Sequence, residues 1–338
     1  MEGYLSEVGQ TSKDFASAAW TRGERERQED IFHLARLSSR DGENPCILLI
    51  VADGMGGQFA GDVASRTASD AFAEAANSYG ALDAQELLRD SLDDANDALR
   101  RKLEQDDALE GMGTTIVAVL IDGATAHWIS VGDSILYLLR GSRLKRLNAD
   151  HSLAGLYAEQ VAKGELSQAE ADERGGHNQL RSALMGGHLK LIDRSDKHSA
   201  ISLKTGDVLL LATDGLLTLA NNRIEAIANQ HRASAGNLAD ALIEEIRNVK
   251  APYQDNTTVV AYVHELTGAS QRRFAIFNRS TKAWLGIAAL VLALGAAGAL
   301  AWLYPNLPKQ KTVEASQELP KTASSTKSAD EAATTPNQ

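Results

Sequence analysis

Hydrophobic and polar positions along residues 10–265 predict a mixture of strands and helices. Short apolar runs bounded by Gly, Asp or Ser predict strands, at residues 14–21, 31–37, 46–52, 114–121, 125–131, 135–140, 207–212 and 257–263. Apolar residues spaced three and four apart predict helices, at residues 62–77, 83–103, 223–229 and 235–249, with two more within 152–173. Tight turns between strands favour antiparallel sheets that helix pairs cover, which is an α+β fold.

A different pattern occupies residues 284–304, where 21 consecutive residues carry no charge. About 20 apolar residues span a bilayer core, and aromatic residues at both ends suit the membrane interface. The run therefore predicts one transmembrane helix, with a central core helix as the alternative. Basic residues in the preceding linker, 271–283, place residues 1–282, and with them the domain 1–270, in the cytosol by the positive-inside rule. The chain is thus expected to be a single-pass protein of the inner (cytoplasmic) membrane.

Two further features adjoin this hydrophobic run. Within it, alanine recurs at every fourth position, at Ala289, Ala293, Ala297 and Ala301. Such a stripe permits close helix contact and a weak homodimer, although plain alanine richness explains it equally well. Residues 305–338 lack aromatic residues and hydrophobic periodicity, which predicts a disordered tail outside the cytosol.

Net charge and cysteine content narrow the possible partners. The 338-residue chain has 34 Lys and Arg against 45 Asp and Glu, a net charge of −11. Nucleic acid is therefore excluded as a general partner, because binding its phosphates requires a basic surface. The charge is uneven: residues 1–270 carry 26 basic and 41 acidic residues (−15), and residues 271–338 carry 8 and 4 (+4). One cysteine, Cys46, excludes an intramolecular disulfide and a thiolate zinc site.

The candidate chemistry consists of carboxylates at or beside the ends of predicted strands. These are Asp53 and Asp214, each followed by glycine, then Asp255 at the start of the last strand, and the pair Glu29 and Asp30. A single Asp-Gly after a strand is most simply a turn signal. Taken together, carboxylates without His or Cys partners suit Mg²⁺ or Mn²⁺. Glycine also lets the Gly54 carbonyl approach such an ion.

Eight motifs in a fixed order carry a resemblance that covers residues 10–265. They are TRGERERQED (21–30), VADGMGG (51–57), GMGTT (111–115), VGDS (131–134), DHSL (150–153), NQLRSALMG (178–186), LATDG (211–215) and QDNTT (254–258). The chain resembles the metal-dependent protein phosphatase (PPM, type 2C) family of bacterial type. The resemblance implies an α-β-β-α sandwich of two antiparallel sheets flanked by helix pairs, with two Mn²⁺ or Mg²⁺ ions at one end.

The resemblance also implies a role for each matched residue. Asp53 would bridge both ions, the Gly54 carbonyl would bind one of them, and Asp214 and Asp255 would bind the other. Glu29 and Asp30 would hold metal-bound waters, and Asp133 would bind a weaker third ion. Arg25 would bind the phosphate of the substrate. The implied reaction is hydrolysis of phosphoserine and phosphothreonine by a hydroxide that the two ions share. The implied partners are phosphorylated proteins and a Ser/Thr kinase that the enzyme opposes.

Some positions depart from the family pattern. Met55 stands where animal members have His, a candidate general acid. The proton donor is therefore either a metal-bound water or another group. Three histidines, none favoured over the others, could supply it: His151, His177 and His188. Thr218 and Ile135 replace an Asp and an Arg that many members carry, which affects the third ion and not the first two. Residues 156–177 correspond to the family's flap, or to a solvated helix face. The alternative function is a non-catalytic module that binds phosphoproteins; degenerate members usually lose the metal aspartates, which this chain keeps.

Overall fold

Strands form the centre of the fold in the computed structural model, which describes residues 15–37, 46–56, 60–78, 83–176, 179–196 and 199–265. The strands are β1 (Ala16–Thr21), β2 (Asp30–Leu37), β3 (Cys46–Met55), β4 (Gly113–Thr114), β5 (Ile116–Asp122), β6 (Thr125–Val131), β7 (Ile135–Arg140), β8 (Arg143–Arg146), β9 (Asp193–Arg194), β10 (Ile201–Ser202), β11 (Val208–Ala212) and β12 (Thr257–Val263). The helices are α1 (Ala60–Ser78), α2 (Ala84–Leu103), α3 (Leu153–Ala162), α4 (Gln168–Arg174), α5 (Asn221–His231) and α6 (Ala235–Val249). Short 3₁₀ turns cover Asp107–Leu109 and Asp214–Thr218.

The strands pair into two antiparallel sheets. One has the order β1-β12-β11-β7-β8. The other has the order β10-β6-β5-β3-β2, with β4 paired to β3 and β9 paired to β6. Helices α1 and α2 pack on the second sheet, and α6 packs on β1 and β12 of the first. The predicted α-β-β-α sandwich is therefore confirmed.

Alternation along the strands explains the layering. In β3, Leu48 and Ile50 point to the core beneath α1 and α2, whereas Leu49 and Val51 point to the core between the sheets. In β12, Val260 faces the same inter-sheet core while its neighbours face α6. Side chains on successive strand residues point to opposite faces, so a strand buried on both sides is continuously apolar.

Several element boundaries differ from the predictions. The predicted strand 114–121 is divided at Thr115, which lies opposite Asp53 and offers its hydroxyl to the Asp53 N–H. Strands β8, β9 and β10 were not predicted, because they have two to four residues and no apolar alternation. Asp255 does not open the last strand, since β12 begins two residues later, at Thr257.

The predicted membrane segment lies outside the part of the chain that the structure describes. This applies to the linker 271–283, the span 284–304 with its alanine stripe, and the tail 305–338. Among the described residues, the helices are too short or too polar to cross a bilayer. The span and its orientation stay predictions.

Candidate active site

Asp30 and Asp53 lie opposite each other where β2 begins and β3 approaches its end. Asp30 is buried, and its Oδ2 accepts a hydrogen bond of 2.9 Å from the Thr213 hydroxyl. Thr213 follows β11 directly, so this bond joins the two sheets. The second oxygen, Oδ1, is buried without a hydrogen-bond partner among the described residues. Such an oxygen is costly unless a proton or a cation compensates it.

Two threonines of the GMGTT motif hold the backbone of Asp53. The Asp53 N–H donates to Thr115 Oγ1 at 3.0 Å, and the Asp53 carbonyl accepts from the Thr114 hydroxyl and the Thr115 N–H, each at 2.9 Å. Thr115 Oγ1 also lies 2.7 Å from the hydroxyl of Ser134, the residue after Asp133. The motif therefore fixes Asp53 and ties it to the Gly-Asp-Ser turn.

Glycines bring two predicted oxygen ligands into the same small space. The Gly54 N–H donates to the Glu29 carbonyl at 3.2 Å. A Cβ on Gly61, at the start of α1, would lie 2.8 Å from Glu29 Oε1 and 2.9 Å from the Gly54 carbonyl oxygen. A side chain at position 61 would thus fill the space that both oxygens face, which explains the glycine there.

Arg25 lies against Asp255, although 230 residues separate them in the sequence. Arg25 Nη2 is 2.6 Å from Asp255 Oδ2, and the Arg25 side chain is 55% exposed.

The loop that carries Arg25 and Glu29 is held by buried Asn256. Its Oδ1 accepts from the Glu29 N–H at 2.7 Å, and its Nδ2 donates to the carbonyls of Arg22 (2.9 Å) and Arg27 (2.8 Å). Sequence analysis assigned no role to Asn256.

Arg146 holds the turn that carries Asp133. Its Nη2 donates to the Asp133 carbonyl at 2.8 Å, and its Nη1 donates to Asp150 Oδ2 at 3.0 Å. His151 accepts a hydrogen bond from the Gly132 N–H at its Nδ1, at 3.2 Å, and burial lowers its pKa. This contact gives His151 a structural role. The sequence did not predict this role of Arg146, because the short strand β8, which ends at this residue, was not predicted.

Burial, and then repulsion between neighbouring carboxylates, raises the pKa values of the aspartates. Burial, partly offset by the Thr213 hydrogen bond, raises the pKa of Asp30 to about 8. Burial, followed by repulsion from Asp214 and Asp150, raises the pKa of Asp133 to about 7. For Asp214, burial and then Asp255 raise the pKa to about 6.

Burial and neighbouring carboxylates act on Asp53 as well. Its pKa is raised well above the usual range by burial and then by four other carboxylates, in the order Asp30, Asp214, Asp133 and Asp255. Aspartates carried by both sheets therefore lie near enough to Asp53 to repel its charge. Their roles as ligands stay predictions.

The donor set fits divalent cations of the hard type. It is made of carboxylate and carbonyl oxygens, with a buried unpaired oxygen on Asp30 and the shared space in front of Glu29 and Gly54. In the described ranges, no group of three or more His, Cys, Asp or Glu side chains is arranged so that it could hold a metal ion. Asp255 is instead turned to Arg25. Binding of a cation here would require carboxylates to rotate, and the cation would offset their mutual repulsion.

Comparison with known proteins agrees with this geometry. A model of the family described as protein phosphatase 2C matches residues 22–255, which include the site from Arg25 to Asp255. The chain belongs to the protein phosphatase 2C family. Within this family, it is 33% identical over 225 residues to the serine/threonine phosphatase stp of Listeria monocytogenes, covering 65% of this chain and 85% of that protein.

Solved structures of protein phosphatase 2C relatives share the fold. The serine/threonine phosphatase PstP/Ppp of Mycobacterium tuberculosis superposes with a TM-score of 0.61 at 28% identity, covering 74% of this chain and 98% of that one. The catalytic domain of PstP in complex with two manganese ions superposes with a TM-score of 0.58, also at 28% identity, covering 74% and 98%. The prediction of a protein phosphatase is confirmed.

The raised pKa values predict how pH affects the metal-free protein. An unfolded Asp titrates near ~3.9, whereas the folded values of Asp30, Asp133 and Asp214 are about 8, 7 and 6. Between pH ~4 and 8 the folded state therefore holds more protons, so its stability falls as pH rises. We expect the Tm of the metal-free protein, measured by calorimetry, to fall between pH 5 and 8 by about 5 °C or more.

Asp30→Asn is the control for this pH dependence, because it keeps an acceptor for the Thr213 hydroxyl and removes one titrating group. Its Tm should fall less over the same range. We also expect Mn²⁺ to raise the wild-type Tm more at pH 8 than at pH 6, since protons compete with the ion for the same oxygens. A metal-free Tm that stays constant from pH 5 to 8 would contradict the coupled cluster.

Asn256→Ala should lower both stability and activity. The substitution leaves the Glu29 N–H and the Arg22 and Arg27 carbonyls without their buried partner, at a cost of about 2 kcal/mol. We expect a Tm lower by about 4–8 °C and, below that temperature, a lower kcat/KM because Arg25 and Glu29 lose their support. Asn229→Ala, which removes bonds to the Ser142 and Glu225 carbonyls, is the control. Equal losses of kcat/KM in both variants would refute the positioning role.

Proposed function

We propose that this protein phosphatase hydrolyses phosphoserine and phosphothreonine in proteins with two Mn²⁺ or Mg²⁺ ions. The proposed ligands are Asp53, the Gly54 carbonyl, Asp214 and Asp255, with Glu29 and Asp30 acting through water and Asp133 on a weaker third ion. The observation that carries this proposal is geometric: Asp30 and Asp53 lie opposite each other, Asp30 Oδ1 is buried without a partner among the described residues, and Glu29 Oε1 and the Gly54 carbonyl face one space. The names of the Listeria and Mycobacterium relatives, and the two manganese ions in one of them, support it.

When bound, such ions lower the pKa of a water molecule and offset negative charge on phosphoryl oxygens. The chain supplies the positioning. Arg25 is more than half exposed beside Asp255, so a phosphate arriving from solvent can reach it. Its planar guanidinium offers two parallel N–H donors to two phosphoryl oxygens. Thr115 and Asn256 hold Asp53 and the Arg25 loop in fixed positions, which a reaction of this kind requires.

Phosphate release by the full chain tests the proposal. With Mn²⁺ present, we expect hydrolysis of p-nitrophenyl phosphate and of a phosphothreonine peptide, loss of both with a chelator, and recovery when Mn²⁺ is restored. A rise in Tm with added Mn²⁺ is the independent measurement of binding. If neither Mn²⁺ nor Mg²⁺ supports hydrolysis of either substrate, the proposal fails. A non-catalytic module would bind the phosphopeptide and release no phosphate.

We also propose that residues 284–304 anchor the enzyme in the cytoplasmic membrane, with the catalytic residues in the cytosol opposing a Ser/Thr kinase. The support is the uncharged 21-residue run and the basic residues that precede it. Fractionation tests the anchor: the full chain should sediment with membranes and require detergent for release, and a chain ending at residue 270 should not. A full chain that stays in the supernatant would refute it.

A further inference from the structure

Tyr253 occupies a position for which tyrosine is poorly suited. Its φ is +62°, and Lys250 is the other non-glycine residue with positive φ in the described ranges. Bulky residues at positive φ are outliers because their Cβ crowds the backbone. The residue follows Pro252 in a turn, where glycine or asparagine is preferred for the positive φ. Tyrosine here therefore strains the backbone.

Burial does not compensate this strain. Tyr253 is 93% exposed, so its ring removes almost no apolar surface from water. An exposed aromatic side chain in a strained conformation is unfavourable for the isolated protein on both counts. Strain that the fold does not require is concentrated at binding and catalytic positions.

The turn that carries Tyr253 forms part of the wall of the active site. The next residue, Gln254, accepts a hydrogen bond from the Glu24 N–H at 2.8 Å and donates to the Gly215 carbonyl at 3.2 Å. Two residues beyond Tyr253, Asp255 contacts Arg25. Tyr253 therefore projects from the rim between the Arg25 loop and the Asp214 turn.

Tyrosine in this position is suited to contacting a partner. Its ring is 93% exposed and lies in the turn that leads directly to Asp255, which contacts Arg25. Tyrosine is among the residues that contribute most binding energy at protein interfaces.

We propose that Tyr253 docks an apolar side chain of the substrate protein beside the phosphorylated residue. This inference rests on the proposed function, since it assigns the same site its preference among phosphoproteins. The location next to Arg25 favours a substrate over a lipid surface. The adjoining segment RGERER alternates three arginines with two glutamates, so it lacks the strong positive charge that anionic lipid selects.

The preference for an apolar residue beside the phosphothreonine is tested by measuring kcat/KM of the full chain with Mn²⁺. The substrates are phosphothreonine peptides that carry leucine or serine at one flanking position after another. We expect leucine to raise kcat/KM at one or more positions. In Tyr253→Ala, kcat/KM for the best leucine peptide should fall about tenfold relative to that for p-nitrophenyl phosphate. Tyr253→Phe, which keeps the ring, should retain the preference. Tyr253→Gly should lose it and yet raise Tm by about 2–4 °C, because glycine accepts positive φ.

Lys250→Gly is the matched control, because it relieves a positive φ of +51° in the same segment without removing an apolar side chain. It should raise Tm and keep the leucine preference. If Tyr253→Ala keeps the leucine preference, the inference is overturned. It is also overturned if Tyr253→Ala weakens binding to anionic phosphatidylserine vesicles and leaves hydrolysis of the peptides unchanged. Wild-type protein inactive on every substrate would instead refute the proposed function.

Discussion

Asp53→Asn should lower kcat by about 10³-fold while leaving the fold intact, because it removes the charge of the carboxylate that we propose as a ligand of both metal ions. Asparagine has the shape of aspartate, so the backbone bonds of residue 53 to Thr115 persist. It also removes the two effects that raise the pKa of Asp53 in the metal-free protein, which are burial of the carboxylate and then repulsion from neighbouring aspartates. We therefore expect the metal-free Tm to be unchanged or higher, and the Mn²⁺-dependent rise in Tm to be lost.

The combination of these effects identifies a metal ligand. A residue needed only for folding would lower Tm, and a residue that contacts only substrate would leave the Mn²⁺ effect on Tm unchanged. Asp214→Asn should behave as Asp53→Asn does. Asp122→Asn is the matched control, since Asp122 is an exposed carboxylate at the end of β5 away from the site. Near wild-type turnover in Asp53→Asn would refute the assignment of the site.

The sheets were predictable because their strands are buried on both faces. Runs such as Leu48–Val51 supply apolar residues to two cores at once, so the pattern leaves little alternative to a central strand. Strand β8 was not predictable in this way. Its alternation of exposed and half-buried residues consists of basic residues and one leucine, and its pairing with β7 depends on a turn. The structure of such an edge strand depends more on pairing with the neighbouring strand than on its own alternation of apolar and polar residues.

The candidate site was predictable residue by residue only through the motifs. Asp-Gly after a strand indicates a turn as readily as a ligand, and it was the order of eight motifs that singled out Asp53 and Asp214. The supporting residues depend on contacts between distant segments. Asn256 bonds to residues 227 to 234 positions away, and no local pattern reports such a contact. The strain at Tyr253 is likewise visible only as a backbone angle.

Arg25→Ala should lower kcat/KM about 10²-fold for p-nitrophenyl phosphate and for phosphopeptides alike, because the guanidinium would contact the phosphate common to both. Arg25→Lys should recover only part of this loss, since a point charge does not match two phosphoryl oxygens. Arg25 also donates a hydrogen bond to Asp255 Oδ2 at 2.6 Å. Its removal frees this oxygen for a metal ion, so the Mn²⁺ affinity measured by calorimetric titration should be equal or tighter. Arg22→Ala on the same loop is the control. An equal loss in Arg22→Ala, or weaker Mn²⁺ binding in Arg25→Ala, would show that Arg25 supports the loop or the metal rather than the substrate.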